Sequence, residues 1–148
     1  MKLLPTFQPQ LPALPLDQCS NEERWIDTKR AMWPLADLQQ LLASREWRLQ
    51  LTQSAASDAN VKLNWGPDVI RPFFNSLGSH RYVGSEWAFM SRADGTQTPL
   101  IADAYAMGFS RVTLKENQML SPPVYIKFTA KAEQKLILVL RLHPSTKS

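Results

Sequence analysis

The C-terminal part of the chain combines an aromatic residue with several cations at a spacing that suits a polyanion. Between residues 124 and 129, polar residues alternate with apolar ones, so the polar set shares one face if this segment is a strand. An aromatic ring among cations on an open sheet binds single strands by base stacking and phosphate contact. We therefore predict a surface for single-stranded nucleic acid, or for an acidic protein, formed by Tyr125, Lys127, Lys131, Lys135 and Arg141.

The charge distribution agrees with this prediction. The formal net charge of the 148 residues is +4, and residues 111–148 alone hold 7 basic and 2 acidic residues. The remaining residues are almost neutral in sum, so the basic character is local, as electrostatic attraction of a polyanion requires. The alternative is that these lysines keep an exposed, strand-rich edge soluble and unpaired.

A second candidate site is a ligand pocket. Asp103 and Tyr105 share a face if their segment is a strand, and a carboxylate among apolar residues is costly to bury unless it is paired or neutral. We consider a pocket for a small apolar ligand formed by Trp87, Asp103, Tyr105 and His80. The structural alternative is an ion pair of Asp103 with Arg81, Arg92 or Arg111.

The two histidines, His80 and His143, allow a third hypothesis, a ribonuclease that works without metal through acid and base side chains. With a single cysteine, Cys19, they offer no closely spaced metal-ligand cluster and no internal disulfide. The five glycines are scattered singly, so a glycine-rich phosphate loop is absent from the sequence. We predict no metal and no cofactor, and we favour a non-enzymatic protein.

The elements that position these residues begin with an N-terminal arm, residues 1–18. Four prolines, at 5, 9, 12 and 15, block helix formation and favour extended backbone. Such an arm either packs across its own domain or offers a polyproline ridge to a partner. We divide the chain into this arm and one domain, residues 19–148.

Helices are predicted next. The sequence Ser20-Asn21-Glu22-Glu23 is a capping box, from which a helix should run through Trp33, and Pro34 can open a second helix with leucines on one stripe. A third helix is expected between Val69 and Gly78. Each has one apolar face that must be covered.

A sheet is predicted to cover those faces. Alternation indicates strands at residues 47–52 and 61–65, interpreted as a hairpin across a polar loop, and further strands within 86–92, 99–112, 124–129 and 135–143. The last strand is apolar on both faces as far as Val139, which is typical of an interior strand.

This order of elements gives an α+β domain whose N-terminal helices pack on a curved antiparallel sheet of about six strands. Over residues 20–143 it is similar to the cone-shaped fold of nuclear transport factor and ketosteroid isomerase relatives. The resemblance is one of element order and involves no residue motif. It implies a sheet wrapped around a pocket, and therefore supports the ligand-pocket alternative.

The lengths of the apolar runs in the sequence bear on where the protein is located. The chain contains no apolar run of the length needed for a signal peptide or a membrane helix. We expect a cytoplasmic binding or adaptor protein that does not enter membranes. Its arm or an open sheet edge would support self-association.

Overall fold

A computed structural model describes residues 3, 5–6, 9–12, 15–26, 30–91 and 94–145. Within these ranges the α-helices are α1 (Asn21–Arg24), α2 (Leu35–Ala43), α3 (Gln53–Asp58) and α4 (Pro67–Ser76). Short 3-10 turns occupy Leu16–Gln18, Ser79–Arg81 and Ala132–Gln134, and a π-helical turn, Ala59–Leu63, extends α3. The strands are β1 (Trp25–Ile26), β2 (Arg48–Leu51), β3 (Tyr82–Ser91), β4 (Gln97–Met107), β5 (Phe109–Ser110), β6 (Lys115–Glu116), β7 (Val124–Lys131) and β8 (Leu136–Pro144).

Six strands form one sheet in the order β1-β3-β4-β7-β8-β2, and β5 pairs with β6 separately. The expected α+β class and six-stranded sheet are confirmed. The expectation of a purely antiparallel sheet is wrong at one edge, because β2 runs parallel to β8, with Arg48 opposite Leu136. β8 lies between β7 and β2, so its interior position is confirmed.

The capping box at Ser20 is confirmed. Its hydroxyl oxygen accepts from the Glu23 amide at 3.2 Å, and the Ser20 amide donates to the Glu23 carboxylate at 3.1 Å. The helix that it starts is much shorter than predicted, because it ends at Arg24 and the chain then pairs with β3 at Trp25. Aromatic and β-branched residues at this point favour a strand over a further helical turn.

The predicted hairpin of residues 47–52 with 61–65 is wrong. Its first half is β2, but residues 53–63 are helical, with the Thr52 side chain capping α3 at the Ala55 amide. Val61 is 77% exposed while Trp65 is buried, whereas a strand would have placed both side chains on one face. The parallel pairing with β8 takes the place of the hairpin partner.

The main core lies between α2, α4 and one face of the sheet. The four leucines of α2 are buried, as its stripe predicts, and α4 contributes Phe73 and Phe74. Phe74 meets Phe128 of β7 edge to face, with ring centroids 5.1 Å apart. Burial of such rings is a large part of the stabilisation of a domain of this size.

Parts of the arm contact the domain. Leu3 is buried in the main core, and the Thr6 amide donates to the Met32 carbonyl oxygen at 2.8 Å. Leu16 packs in a smaller cluster with Trp87. The extended conformation predicted for residues 1–18 does not hold at Leu16–Gln18, which form a 3-10 turn.

Candidate nucleic-acid interface

The hairpin of β7 and β8 brings together three of the five predicted binding residues. Tyr125 lies opposite His143, and Lys127 lies opposite Arg141. Their neighbours along β7, including Ile126, are buried in the main core. Because side chains alternate across a strand, these four residues lie on the other surface of the sheet, which we call the open face.

The aromatic part of the open face is a stacked pair. The rings of Tyr125 and His143 have centroids 5.3 Å apart and an interplanar angle of 23°. The Nδ1 atom of His143 is 2.8 Å from the Pro144 carbonyl oxygen, which fits a proton on that nitrogen. Burial, reinforced by the charge of Glu86 and opposed by Arg141, raises the pKa of Tyr125 to about 12. The phenol is therefore neutral at ordinary pH.

Lys127 is not the free cation that the sequence suggests. Its Nζ donates to the Glu86 carboxylate at 2.5 Å, and the side chains are only 12% and 21% exposed. Glu86 comes from β3, two strands away in the sheet order. Most of the charge of Lys127 is therefore neutralised within the protein.

Arg141 is exposed, and the described part of the chain holds no ion-pair partner for it. The remaining two predicted cations lie toward the other end of the hairpin. Lys131 places its Nζ 3.8 Å from the sulfur of Met90, and Lys135 stands in the turn, 4.0 Å from a Glu46 carboxylate oxygen. Arg141 is thus the exposed cation nearest the aromatic pair along β8.

A groove of about 350 Å³ extends beside Lys127 and Arg141. It also includes three residues that sequence reasoning did not select: Arg24, Thr52 and Ser54. They come from α1 and from the start of α3, far from the hairpin in sequence. The register of β7 and β8 shifts between Lys127 and Phe128, a bulge at the place where the groove meets the hairpin.

Asp103 is fully buried and serves as an acceptor for a distant loop. Its two carboxylate oxygens accept from the backbone amides of Met32 at 2.9 Å and Trp33 at 2.8 Å, and one also accepts from the Ser85 hydroxyl at 2.6 Å. Burial raises the pKa of Asp103, and these three hydrogen bonds oppose that effect. The geometry fastens the segment before α2 to the sheet.

The predicted arginine partners of Asp103 are used elsewhere. Arg81 donates through Nε to Glu116 at 2.6 Å, and Arg111 donates to the Asn64 carbonyl oxygen at 3.3 Å. Arg92 lies outside the described residues. The ion-pair explanation is therefore wrong for Arg81 and Arg111, and backbone amides supply the compensation.

The structure does not gather the residues of the predicted ligand pocket around one space. Tyr105 stacks on Phe128 in the main core, with ring centroids 5.7 Å apart, and burial raises its pKa. Trp87 packs in the smaller cluster, whereas the exposed His80 has its Nε2 3.9 Å from Glu116. None of these side chains lines the groove beside Arg141.

Within the described ranges, no group of three or more histidine, cysteine, aspartate or glutamate side chains could hold a metal ion. A search of the same ranges finds no helix with the length and apolar character needed to cross a membrane.

The chain was compared with protein-family models, with curated proteins and with solved structures, and none of the three comparisons finds a match.

Proposed function

We propose that the protein is a non-enzymatic binding protein that takes up single-stranded nucleic acid on the open face of the β7–β8 hairpin. The observation that carries the proposal is the stacked pair Tyr125–His143 directly beside the cross-strand pair Lys127–Arg141. The aromatic pair offers a planar surface to a base, and the exposed guanidinium group offers donors to the adjoining phosphate.

Single strands suit this surface better than a duplex does. A base can stack on a protein ring only when its face is not covered by neighbouring bases, as in a single strand whose bases are unstacked. A stacked base contributes about 1–3 kcal/mol to binding in alanine-substitution experiments. Tyr125 is partly exposed and sits against a second ring, which limits the conformations it would lose on binding.

The charges favour a modest, salt-sensitive affinity. Because Lys127 is paired with Glu86, and Lys135 lies near Glu46, the five predicted residues supply fewer free charges than their number suggests. Arg141 and Lys131 are the cations of the set that contact no carboxylate within the described ranges. An acidic protein surface would use the same cations but would gain little from the aromatic pair.

The proposal is tested by fluorescence anisotropy with labelled single-stranded RNA and DNA of about ten nucleotides. Tyr125→Leu should weaken binding about 5-fold or more, because it removes the stacking ring, whereas Tyr125→Phe should bind as the wild type does. Arg141→Gln should also weaken it. Lys115→Gln is the matched control, since it removes an exposed cation from the separate β5–β6 sheet.

Two results would contradict the proposal. One is an absence of binding to either oligonucleotide at low salt. The other is equal loss in Lys115→Gln and Arg141→Gln with no loss in Tyr125→Leu, which would indicate attraction to any polyanion, including an acidic protein.

The cone-shaped fold and its ligand pocket are a second proposal. In the described residues, all four α-helices come before the four strands β3, β4, β7 and β8 of the six-stranded sheet, and this order supports the proposal. Against it stands Asp103, whose carboxylate oxygens are already used by Met32, Trp33 and Ser85. Binding of a small apolar compound that is abolished by Asp103→Asn, with folding intact, would restore this alternative.

A further inference from the structure

The groove beside the hairpin concentrates cationic and hydroxyl groups. Its lining includes three basic side chains, from Arg24, Lys127 and Arg141, and two hydroxyl side chains, from Thr52 and Ser54. The groove lining contains no acidic residue, and Glu86 offsets only the charge of Lys127. Two guanidinium charges therefore remain without a carboxylate in the lining.

Arg24 is an unusual member of this lining. Its guanidinium carbon lies 5.2 Å from the centre of the Phe89 ring, which holds the group against the protein. Its Nε is buried and finds no hydrogen-bond partner among the described residues. A buried N–H without an acceptor costs about 1–3 kcal/mol, so native proteins rarely keep one unless something else accepts from it.

The hydroxyl groups differ in availability. The Thr52 oxygen accepts from the Ala55 amide at 3.2 Å and lies 3.4 Å from the Leu140 carbonyl oxygen, so it is engaged within the fold. Ser54, two residues on, is exposed. Its hydroxyl can donate to a ligand without breaking the cap of α3.

We propose that this groove binds a phosphate group, which accepts from the guanidinium groups of Arg24 and Arg141 and from the Ser54 hydroxyl. Phosphate fits because its several oxygens can take donors from different directions, and guanidinium groups donate to it in the plane of their fork. A carboxylate offers only two oxygens in one plane and would leave part of this donor set unused.

The source of the phosphate rests on the proposed function: a phosphodiester of the strand whose base stacks on Tyr125. Arg141 lines the groove and also neighbours His143 along β8, so it would link the phosphate position to the stacked base. A free phosphate or a phosphate on a small metabolite has the same chemistry, and the experiment separates these sources.

Binding of inorganic phosphate to the full chain is measured by NMR, following the Arg Nε–H signals, with chloride at the same ionic strength as the blank. We expect saturable binding that Arg24→Gln weakens about tenfold and Ser54→Ala weakens less, the tenfold loss being that of one charge-assisted hydrogen bond. Arg71→Gln, which removes an exposed arginine on α4, is the matched control and should bind as the wild type does.

Anisotropy with the labelled oligonucleotide is measured on the same variants, with thermal unfolding to confirm that each is folded. Loss of both phosphate and oligonucleotide affinity in Arg24→Gln supports the groove and the strand as the source. Arg24-dependent phosphate binding without any oligonucleotide binding supports the groove as a site for a small phosphate compound and refutes the proposed function. Oligonucleotide binding that depends on Tyr125, with phosphate binding absent or equal in Arg24→Gln, overturns this inference alone. If Arg24→Gln does not fold, the phosphate and oligonucleotide affinities of Ser54→Ala are interpreted in the same way.

Discussion

Replacement of Asp103 by asparagine tests whether this residue fastens the fold or belongs to a ligand site. The carboxylate is 0% exposed and accepts from two backbone amides, at 2.9 Å and 2.8 Å, and from the Ser85 hydroxyl at 2.6 Å. Asparagine has nearly the same shape, but one of its two terminal atoms is a donor. That NH₂ group must face at least one backbone N–H, from Met32 or Trp33, that had an acceptor before.

The magnitude follows from the hydrogen bonds that are lost. A hydrogen bond to a charged group contributes about 1.5–3 kcal/mol, and a buried donor left without a partner costs about 1–3 kcal/mol. We therefore expect Asp103→Asn to lower the free energy of unfolding by about 2–4 kcal/mol. Asp103→Ala should lower it by about 3–5 kcal/mol, because both backbone amides lose their acceptor.

Urea unfolding at pH 7, followed by circular dichroism and tryptophan fluorescence, measures these changes. With a slope of about 2 kcal/mol per molar urea, the midpoint of Asp103→Asn should fall by about 1–2 M. Asp17→Asn is the control, because Asp17 is exposed and its substitution should leave the midpoint unchanged. A stability of Asp103→Asn within about 0.5 kcal/mol of the wild type would refute the anchoring role.

Three other features of the structure give predictions. Lys127→Met leaves the Glu86 carboxylate, 21% exposed, without its partner and should lower the unfolding free energy by about 1–3 kcal/mol in thermal unfolding. Part of this loss should be recovered in Lys127→Met/Glu86→Leu, and an unchanged melting temperature would show that the pair does not stabilise the fold. All three tyrosines have a raised pKa, about 12 for Tyr125. Phenolate absorbance near 295 nm should therefore appear at higher pH than in the urea-unfolded chain, and the free energy of unfolding should fall as the pH rises from 10 through these values. Equal titration curves for the folded and unfolded chain would contradict this prediction. Gly108→Ala should lower the free energy of unfolding by about 1–3 kcal/mol, because its Cβ would overlap a backbone carbonyl oxygen. Gly66→Ala is the control, since its Cβ meets only a side-chain oxygen at 3.0 Å. Equal stability of the two variants would contradict the close packing at Gly108.

Local patterns in the sequence predicted local structure well. The capping box at Ser20 needs only residues three apart, and the buried stripe of α2 follows from a spacing of three and four. The length of α1 was not predicted, because pairing with β3, about sixty residues away along the chain, takes over at Trp25. Likewise β2 finds its partner in β8 and not in the next apolar segment.

At the candidate site, too, local patterns predicted some features and contacts between distant residues were not predicted. Alternation along β7 predicted that Tyr125 and Lys127 share a face, and the register of β7 with β8 then places Arg141 opposite Lys127. It could not show that Glu86 neutralises Lys127, since that contact spans 41 residues. The partners of Asp103 are backbone amides 70 and 71 residues away, and a backbone amide leaves no trace in residue type. The cationic groove was missed because its lining residues come from five segments that are separate in the sequence.

The salt dependence of oligonucleotide binding tests the central claim most directly. For single strands, the slope of log K against log salt is about −0.7 for each phosphate contact. We predict that Arg141→Gln makes the slope shallower by about 0.7, and that Tyr125→Leu weakens binding at every salt concentration while leaving the slope unchanged. Parallel lines of equal affinity for the wild type, Tyr125→Leu and Arg141→Gln would show that the open face of the hairpin does not bind the strand.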